Sequence, residues 1–345
     1  MKKLVLLFLI SIILFSCSST NTLTLDVMEP APVSLPVTVK KVGIVNRTNC
    51  TANISTLNKL DQILTVELLN IDSLGALKAI SGLNDELVKN TNFTKVEYLN
   101  NTLLENSQIS IFSPQLNSSV VKNLCDDDNL DALFVLEYYD TDTKVDYSVV
   151  PVTVKVLGME VNAVETMASV GTMINLGWRI YSASGDILYD EFGYYQNVIS
   201  SGRGINPMVA LSAVAGHKNS VENTSFYLGQ DYGKSLLPYY VTVSRNYFVR
   251  GTDNFKIAKR KAQTGDWNGA ANLWKIETKN IDMKVAGRAY YNMAIINEIN
   301  GDLETAITWA EQSYSDYGNK KALRYLNVLK NRKIRNDELK RQQGF

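Results

Sequence analysis

The sequence predicts an α+β fold, a mostly antiparallel sheet with flanking helices, followed by an all-α helical-repeat domain. Three observations carry that expectation. Alternating apolar runs between residues 37 and 249 outnumber helical spacings, and two of them are joined by a hairpin signal, Ser182-Ala183-Ser184-Gly185-Asp186. At about Asp253 the alternation gives way to helical spacing, and that spacing recurs after 36 residues.

Taken in order, Lys2 and Lys3 precede an apolar run over residues 4–15, too short for the ~20 residues of a membrane-spanning helix. It reads as a secretory signal peptide, residues 1–16, and Cys17 follows it. Residues 17–38 are rich in Ser, Thr and Pro and read as an extended tether. An α/β domain is expected over residues 39–250. Its strands are 37–46, 93–99, 131–139, 149–164, 167–182, 186–196 and 239–249. Helices fall between them at 73–89, from Ser113-Pro114 onward, 206–215 and 221–237, the last carrying Leu228, Tyr232 and Leu236 at i, i+4 and i+8.

The remainder, residues 253–345, is the helical part. Ala258, Gly265, Ala270 and Trp274 recur as Ala294, Gly301, Ala306 and Ala310, with Gly265-Asp266 echoed by Gly301-Asp302. A last helix sets Ala322, Leu323, Leu326 and Leu329 on one side and basic residues on the other, as a capping helix would.

Apolar residues make up 45% and charged ones 20%, which places the chain among globular proteins. Basic and acidic residues balance at 35 each, so no global charge favours nucleic acid. His217 is the only histidine and reads as an exposed helix end; His-based triads and His-rich metal sites are thereby excluded, and no cofactor or metal is expected. Ser201-Gly202-Arg203-Gly204 reads as a mobile loop, not a phosphate cradle, and Asp126-Asp127-Asp128 as a solvated turn. Asp140, Asp142, Lys144 and Asp146 alternate and so line one wet strand face. Cys50 and Cys125 either pair as a disulfide or are each buried; spacing leaves both open. Trp267, Trp274, Tyr290, Tyr291 and Trp309 are candidates for a peptide groove, with core packing as the alternative.

Several stretches resemble known families. Leu14-Phe15-Ser16-Cys17 resembles the bacterial lipobox, which implies acylation of Cys17 and a membrane anchor. The 36-residue recurrence resembles the tetratricopeptide repeat, although Lys261 and Asn297 stand where that family favours an aromatic and Gly318 where it favours proline. Asp72-Ser73-Leu74 resembles the Asp-(Ser/Thr)-apolar sequon used by Bacteroidetes for O-glycosylation, implying a glycan on Ser73, and the same Asp-Ser also fits a helix N-cap. With Leu14–Cys17, residues 238–247 and the two glycine repeats, the chain resembles a family of uncharacterised Bacteroidetes lipoproteins. Residues 39–197 more loosely look like the α/β domain of the curli-secretion lipoprotein and of lipoprotein activators of peptidoglycan synthases.

These resemblances imply an envelope lipoprotein of the outer membrane facing the periplasm, since Ser18 and Ser19 follow Cys17 without an acidic export cluster. The expected activity is non-enzymatic binding of a protein or peptide partner, as an adaptor. An oligomerising assembly or secretion component and a carboxylate-dependent cell-wall hydrolase are the alternatives.

Overall fold

The computed structural model describes residues 19–48, 70–99 and 112–344. Two compact units emerge: residues 31–237, and residues 238–345 together with those up to Pro30. In order the elements are β1 (Thr20–Glu29), β2 (Lys41–Asn46), α1 (Ile71–Lys89), β3 (Lys95–Leu99), α2 (Ser118–Asp128), β4 (Ala132–Val156), β5 (Met159–Ser182) and β6 (Leu188–Gly204). They continue with α3 (Pro207–Ser212), α4 (His217–Lys234), β7 (Tyr239–Phe248), α5 (Asp253–Gln263), α6 (Trp267–Glu277), α7 (Met283–Ile299), α8 (Leu303–Ser315) and α9 (Lys320–Gln342). The expected class holds: a mixed α/β region precedes an all-helical segment.

In the first unit five strands run in the order β3-β2-β4-β5-β6. β2 pairs in parallel with both β3 and β4, an arrangement that needs the long crossover connections supplied around α1 and α2. The rest is antiparallel. β4 and β5 form a hairpin far longer than the expected strands, because the chain reverses at Leu157-Gly158, where φ is 50° and 85°. Residues 149–164 were expected as one strand and are instead the two arms of this turn. The error has a physical source: two positive φ values make a type I′ turn, which ordinarily advertises itself with Asn-Gly, and a leucine occupies the first position here. Beyond the pairing of Thr166 with Gly204 the hairpin continues as two strands only, and Val149, Leu157, Met159 and Val164 are exposed on it.

One face of this sheet is covered by α1 and α4. Ile71, Ala76, Ala79, Ile80, Leu83 and Leu87 form the apolar stripe of α1, and Val221, Leu228 and Tyr232 that of α4. The two helices meet through glycine. A Cβ on Gly82 would lie 1.9 Å from the Phe226 carbonyl oxygen, and one on Gly229 would lie 1.8 Å from that of Ala79. On the opposite face Val121 and Cys125 of α2 pack on Leu133, Val135 and Tyr181. Ser113-Pro114 does not start that helix. Asn117 caps it, its side chain accepting from the Ser119 amide, while the carbonyls of Ser113 and Pro114 are held by Arg179 and Arg47. Both arginines in turn meet the fully buried Glu137, which also accepts from the Tyr181 hydroxyl at 2.7 Å.

In the second unit β1 and β7 form an antiparallel ribbon. The tether expected over residues 17–38 is thereby corrected, because residues 20–29 are a strand. Leu23, Leu25 and Val27 alternate beneath the Ser/Thr-rich composition, and Leu23 and Val27 are buried. The expected domain boundary near residue 250 also moves. Tyr247 packs against Trp267 and Trp274, and Phe248 against Tyr291, so β7 shares a core with the helices that follow it.

The 36-residue recurrence corresponds to two helical hairpins, α5/α6 and α7/α8. Each turns at a glycine with positive φ, Gly265 at 83° and Gly301 at 81°, and each second helix is N-capped by the following aspartate, Asp266 or Asp302. The recurring residues Ala258, Ala270, Trp274, Ala294, Ala306 and Ala310 are the fully buried ones. The five alanines among them let the helices approach closely. α9 is basic, and five of its nine Lys and Arg residues are matched: Lys330, Arg332, Lys333, Arg335 and Arg341 meet Glu311, Glu298, Glu304, Glu29 and Glu338.

Candidate functional site

A recess in the first unit lies between β5, β6 and α4, and encloses about 270 Å³. Its construction follows from simple periodicities. Leu176 and Trp178 are two apart on β5; Asp190, Phe192 and Tyr194 are two apart on β6; Leu228, Asp231, Tyr232 and Ser235 follow helical spacing along α4 and its end. Register places Trp178 beside Phe192 and Leu176 beside Tyr194. Pro32 and Val33 close one side, held where the Val33 amide donates to the Ser235 carbonyl at 3.0 Å.

Aromatic rings dominate the lining. The Tyr232 ring lies nearly parallel to Trp178, at 5.5 Å and 12°, and to Phe192, at 5.9 Å and 14°. Phe192 and Tyr194 are 42% and 39% exposed and form the accessible rim, whereas Trp178 is fully buried, with no acceptor for its Nε1–H among the described residues. The Tyr232 hydroxyl donates to Asp190 at 2.7 Å. Burial pushes the Asp190 carboxyl above its ordinary range, against the lowering effect of that hydrogen bond, and burial beside Asp190 drives the Tyr232 hydroxyl well above its own. Among the described residues no cation pairs with Asp190. Asp231 is exposed and lies 3.3 Å from Lys234.

A second polar cluster surrounds His217. This residue is not the exposed helix end that was expected. It is the first residue of α4, 2% exposed, with Nε2 at 2.8 Å from Thr172 Oγ1 and Nδ1 at 2.8 Å from Ser200 Oγ. Thr172 continues to Thr143 at 2.7 Å, so the imidazole joins a chain of hydroxyls. Ser201-Gly202-Arg203-Gly204 likewise proves to be the end of β6 and not a loop. Gly202 and Gly204 are required there by the backbone of α3, 2.4 Å and 2.6 Å from where their Cβ atoms would fall.

The residues singled out in the sequence are scattered. Cys17 and Cys50 lie outside the described residues. Cys125 is buried in α2, and burial, with help from Asp126 and Asp131, pushes its thiol up to about 11. Ser73 is half-buried in the first turn of α1. Its neighbour Asp72 does not cap that helix: Asn70 occupies the cap position, and Asp72 instead accepts from Thr141 at 2.5 Å.

The five aromatics expected to share a groove divide into two groups. Trp274 and Tyr291 are core, and Trp267 reaches Trp274 through Tyr247; Tyr290 and Trp309 are half-buried and cluster with Tyr317, Trp309 packing against that same core. Helical repeats bury aromatic rings between their helices, and that wins here. The open hollow near the α8/α9 turn, lined by Tyr314, Leu323, Lys320 and Arg324 among others, contains none of the five. No group of His, Cys, Asp and Glu among the described residues is arranged to hold a metal. The aromatic pocket was not anticipated. Phe192 and Tyr194 were visible as alternating residues of a strand, but their juxtaposition with Tyr232 depends on how α4 crosses the sheet.

Fold and pocket together define a mixed α/β body with an aromatic recess, joined to an all-helical segment. Residues 39–248, more than half of the chain, match the family described as Domain of unknown function (DUF8603), and the chain belongs to that family. Residues 256–331 match a second, Domain of unknown function (DUF6340). No curated protein matches the chain. No described helix is long and apolar enough to cross a membrane.

Proposed function

We propose that the chain is a lipid-anchored protein of the bacterial envelope that binds a protein partner and performs no chemistry of its own. The observation that carries the binding half is the pocket of β5, β6 and α4: its lining is mainly apolar and aromatic, with few polar groups, the usual composition of a recognition site. The anchoring half is carried by the run Leu14–Cys17 after a short apolar segment. Two or three acyl chains, at ~0.8 kcal/mol per buried methylene, hold a protein on a bilayer durably. Because β1 begins at Thr20, the anchor is only three residues from folded structure, and a periplasm-facing outer-membrane location would hold the second unit close to the lipid. The paired helical hairpins, read as tetratricopeptide-like, fit an adaptor in the same way.

One observation favours a different reading. Asp190 and Asp231 share the pocket, and glycoside hydrolysis uses two carboxyls about 5–9 Å apart. Against it, Asp231 is exposed and beside Lys234, and Asp190 is engaged by Tyr232. The oligomerising alternative draws on the two-stranded end of the β4/β5 hairpin, which leaves strand edges open to pairing among the described residues.

Photo-crosslinking in living cells tests the binding reading. A photoreactive residue replacing Phe192 at the pocket rim is expected to yield a discrete protein adduct that is absent when the same residue replaces the exposed Lys122 on α2. The same pattern from both positions would refute the reading.

A further inference from the structure

We infer that the pocket between β5, β6 and α4 receives a cationic side chain, arginine or lysine, presented by the protein partner. The inference rests on the binding reading above and names the chemistry of what is bound. Size is the first argument. At about 270 Å³ the recess stands at the lower end of the ~300–1,000 Å³ typical of small-molecule sites, and has room for one large side chain.

Charge is the second. The ionisable acids of the lining, Asp190 and Asp231, are both carboxylates, and no basic side chain lines the pocket. Asp231 already has Lys234 beside it at the surface, so Asp190 is the carboxylate that matters. It is half-buried, is hydrogen-bonded by the Tyr232 hydroxyl and the Glu191 amide, and has no cation opposite it among the described residues. Glu191, its neighbour in sequence, is by contrast paired with Arg179 at 2.8 Å. A partly buried carboxylate without a counter-ion is costly, and burial accordingly pushes this one toward its neutral form. A neutral or anionic guest would leave that cost standing; a cation removes it.

The rings are the third argument. Phe192, Tyr194 and Tyr232 give the pocket aromatic surface beside Asp190, and a guanidinium or ammonium is attracted to ring faces while its alkyl stem packs on the apolar lining. The three requirements, one side chain in size, aromatic in wall and anionic in charge, are met together by arginine and lysine.

The test uses the chain without residues 1–17, labelled with 15N, and follows the indole N–H resonance of Trp178, assigned by its disappearance in Trp178→Phe. The probes are the N-acetyl, N-methylamide forms of arginine, lysine, norleucine and glutamate, with the disaccharide of N-acetylglucosamine as a neutral sugar. The arginine and lysine amides are expected to shift the Trp178 resonance saturably, at least tenfold more tightly than the norleucine amide. Asp190→Asn, which keeps an acceptor for Tyr232, should shrink that preference at least fivefold while changing norleucine binding less than twofold. Equal binding of norleucine and arginine amides, or tighter binding of the sugar, overturns the cationic assignment and leaves the pocket as a binding site. No shift of Trp178 with any probe overturns the pocket itself as the site of recognition.

Discussion

Replacing Glu298 with alanine is expected to destabilise the helical unit by about 3–5 kcal/mol, the usual cost of leaving buried charges without their partner. Glu298, on α7, is 1% exposed. Arg245 of β7 grips it with two bonds, from Nε to Oε2 at 2.8 Å and from Nη2 to Oε1 at 2.9 Å. Arg332 of α9 adds a third at 2.7 Å, and the buried Tyr325 hydroxyl donates a fourth at 2.5 Å. One carboxylate therefore ties a strand to two helices distant in sequence. Burial alone would push the Glu298 carboxyl up, but the hydrogen bonds from Arg245, Tyr325 and Arg332 and the Arg245 charge outweigh it and hold the carboxyl below its ordinary 4.5.

The sign of the pH dependence follows from that direction. A carboxyl lowered on folding contributes stability that is fully present above the unfolded value and is lost as pH falls through the folded one. Urea unfolding followed by tryptophan fluorescence measures both effects, since Trp267, Trp274 and Trp309 all lie in this unit. The variant should also lose the acid dependence below about pH 4.5 that is expected of the parent. A loss under about 1 kcal/mol would mean that the network is worth no more than a surface ion pair.

Gly229→Ala is the second large effect, and its sign is the informative part. In an exposed helix interior this change stabilises by about 1 kcal/mol through helix propensity. Here the added methyl would sit 1.8 Å from the Ala79 carbonyl oxygen, a backbone atom that no rotamer change can move. Gly82 makes the reciprocal approach to the Phe226 carbonyl, so the two helices touch through both glycines and must separate by more than 1 Å. Separation would loosen Leu83 and Leu87 against Leu228 and Tyr232, all in one core. The net expectation is a loss of about 1–3 kcal/mol or more, seen as a lower urea midpoint for the Trp178 signal. A gain in stability would show that α1 and α4 do not pack as described.

How much of this was legible in the sequence depended on whether a signal was local. The α+β class, the hairpin at Gly185 and the glycine turns of the two helical pairs are all written in short-range residue choice, and the structure has them. The sequence misled where two local signals competed. At residues 20–29 composition suggested a tether while the alternation of Leu23, Leu25 and Val27 encoded a strand, and only the partner β7 decided between them. At Leu157-Gly158 an unfavourable leucine hid the reversal of the chain.

The candidate site was the least legible part. Phe192 and Tyr194 are separated from Tyr232 by about forty residues, and their convergence requires both the β5/β6 register and the crossing of α4 over the sheet, neither of which any spacing reveals. The uncompensated Asp190 was invisible for the same reason: a lack of counter-ions is a property of three dimensions. Tryptophans and tyrosines of the helical segment, conspicuous in sequence, proved to be largely packing.

On the proposed function this chain works as a body held at a lipid surface, where it meets its partner. Membrane fractionation of cells producing the parent or Cys17→Ser tests that claim most directly. The parent is expected in the membrane fraction and the variant in the soluble periplasmic fraction, with the adduct formed from the pocket rim lost or reduced in the variant. Retention of Cys17→Ser in the membrane to the same extent as the parent would contradict the account.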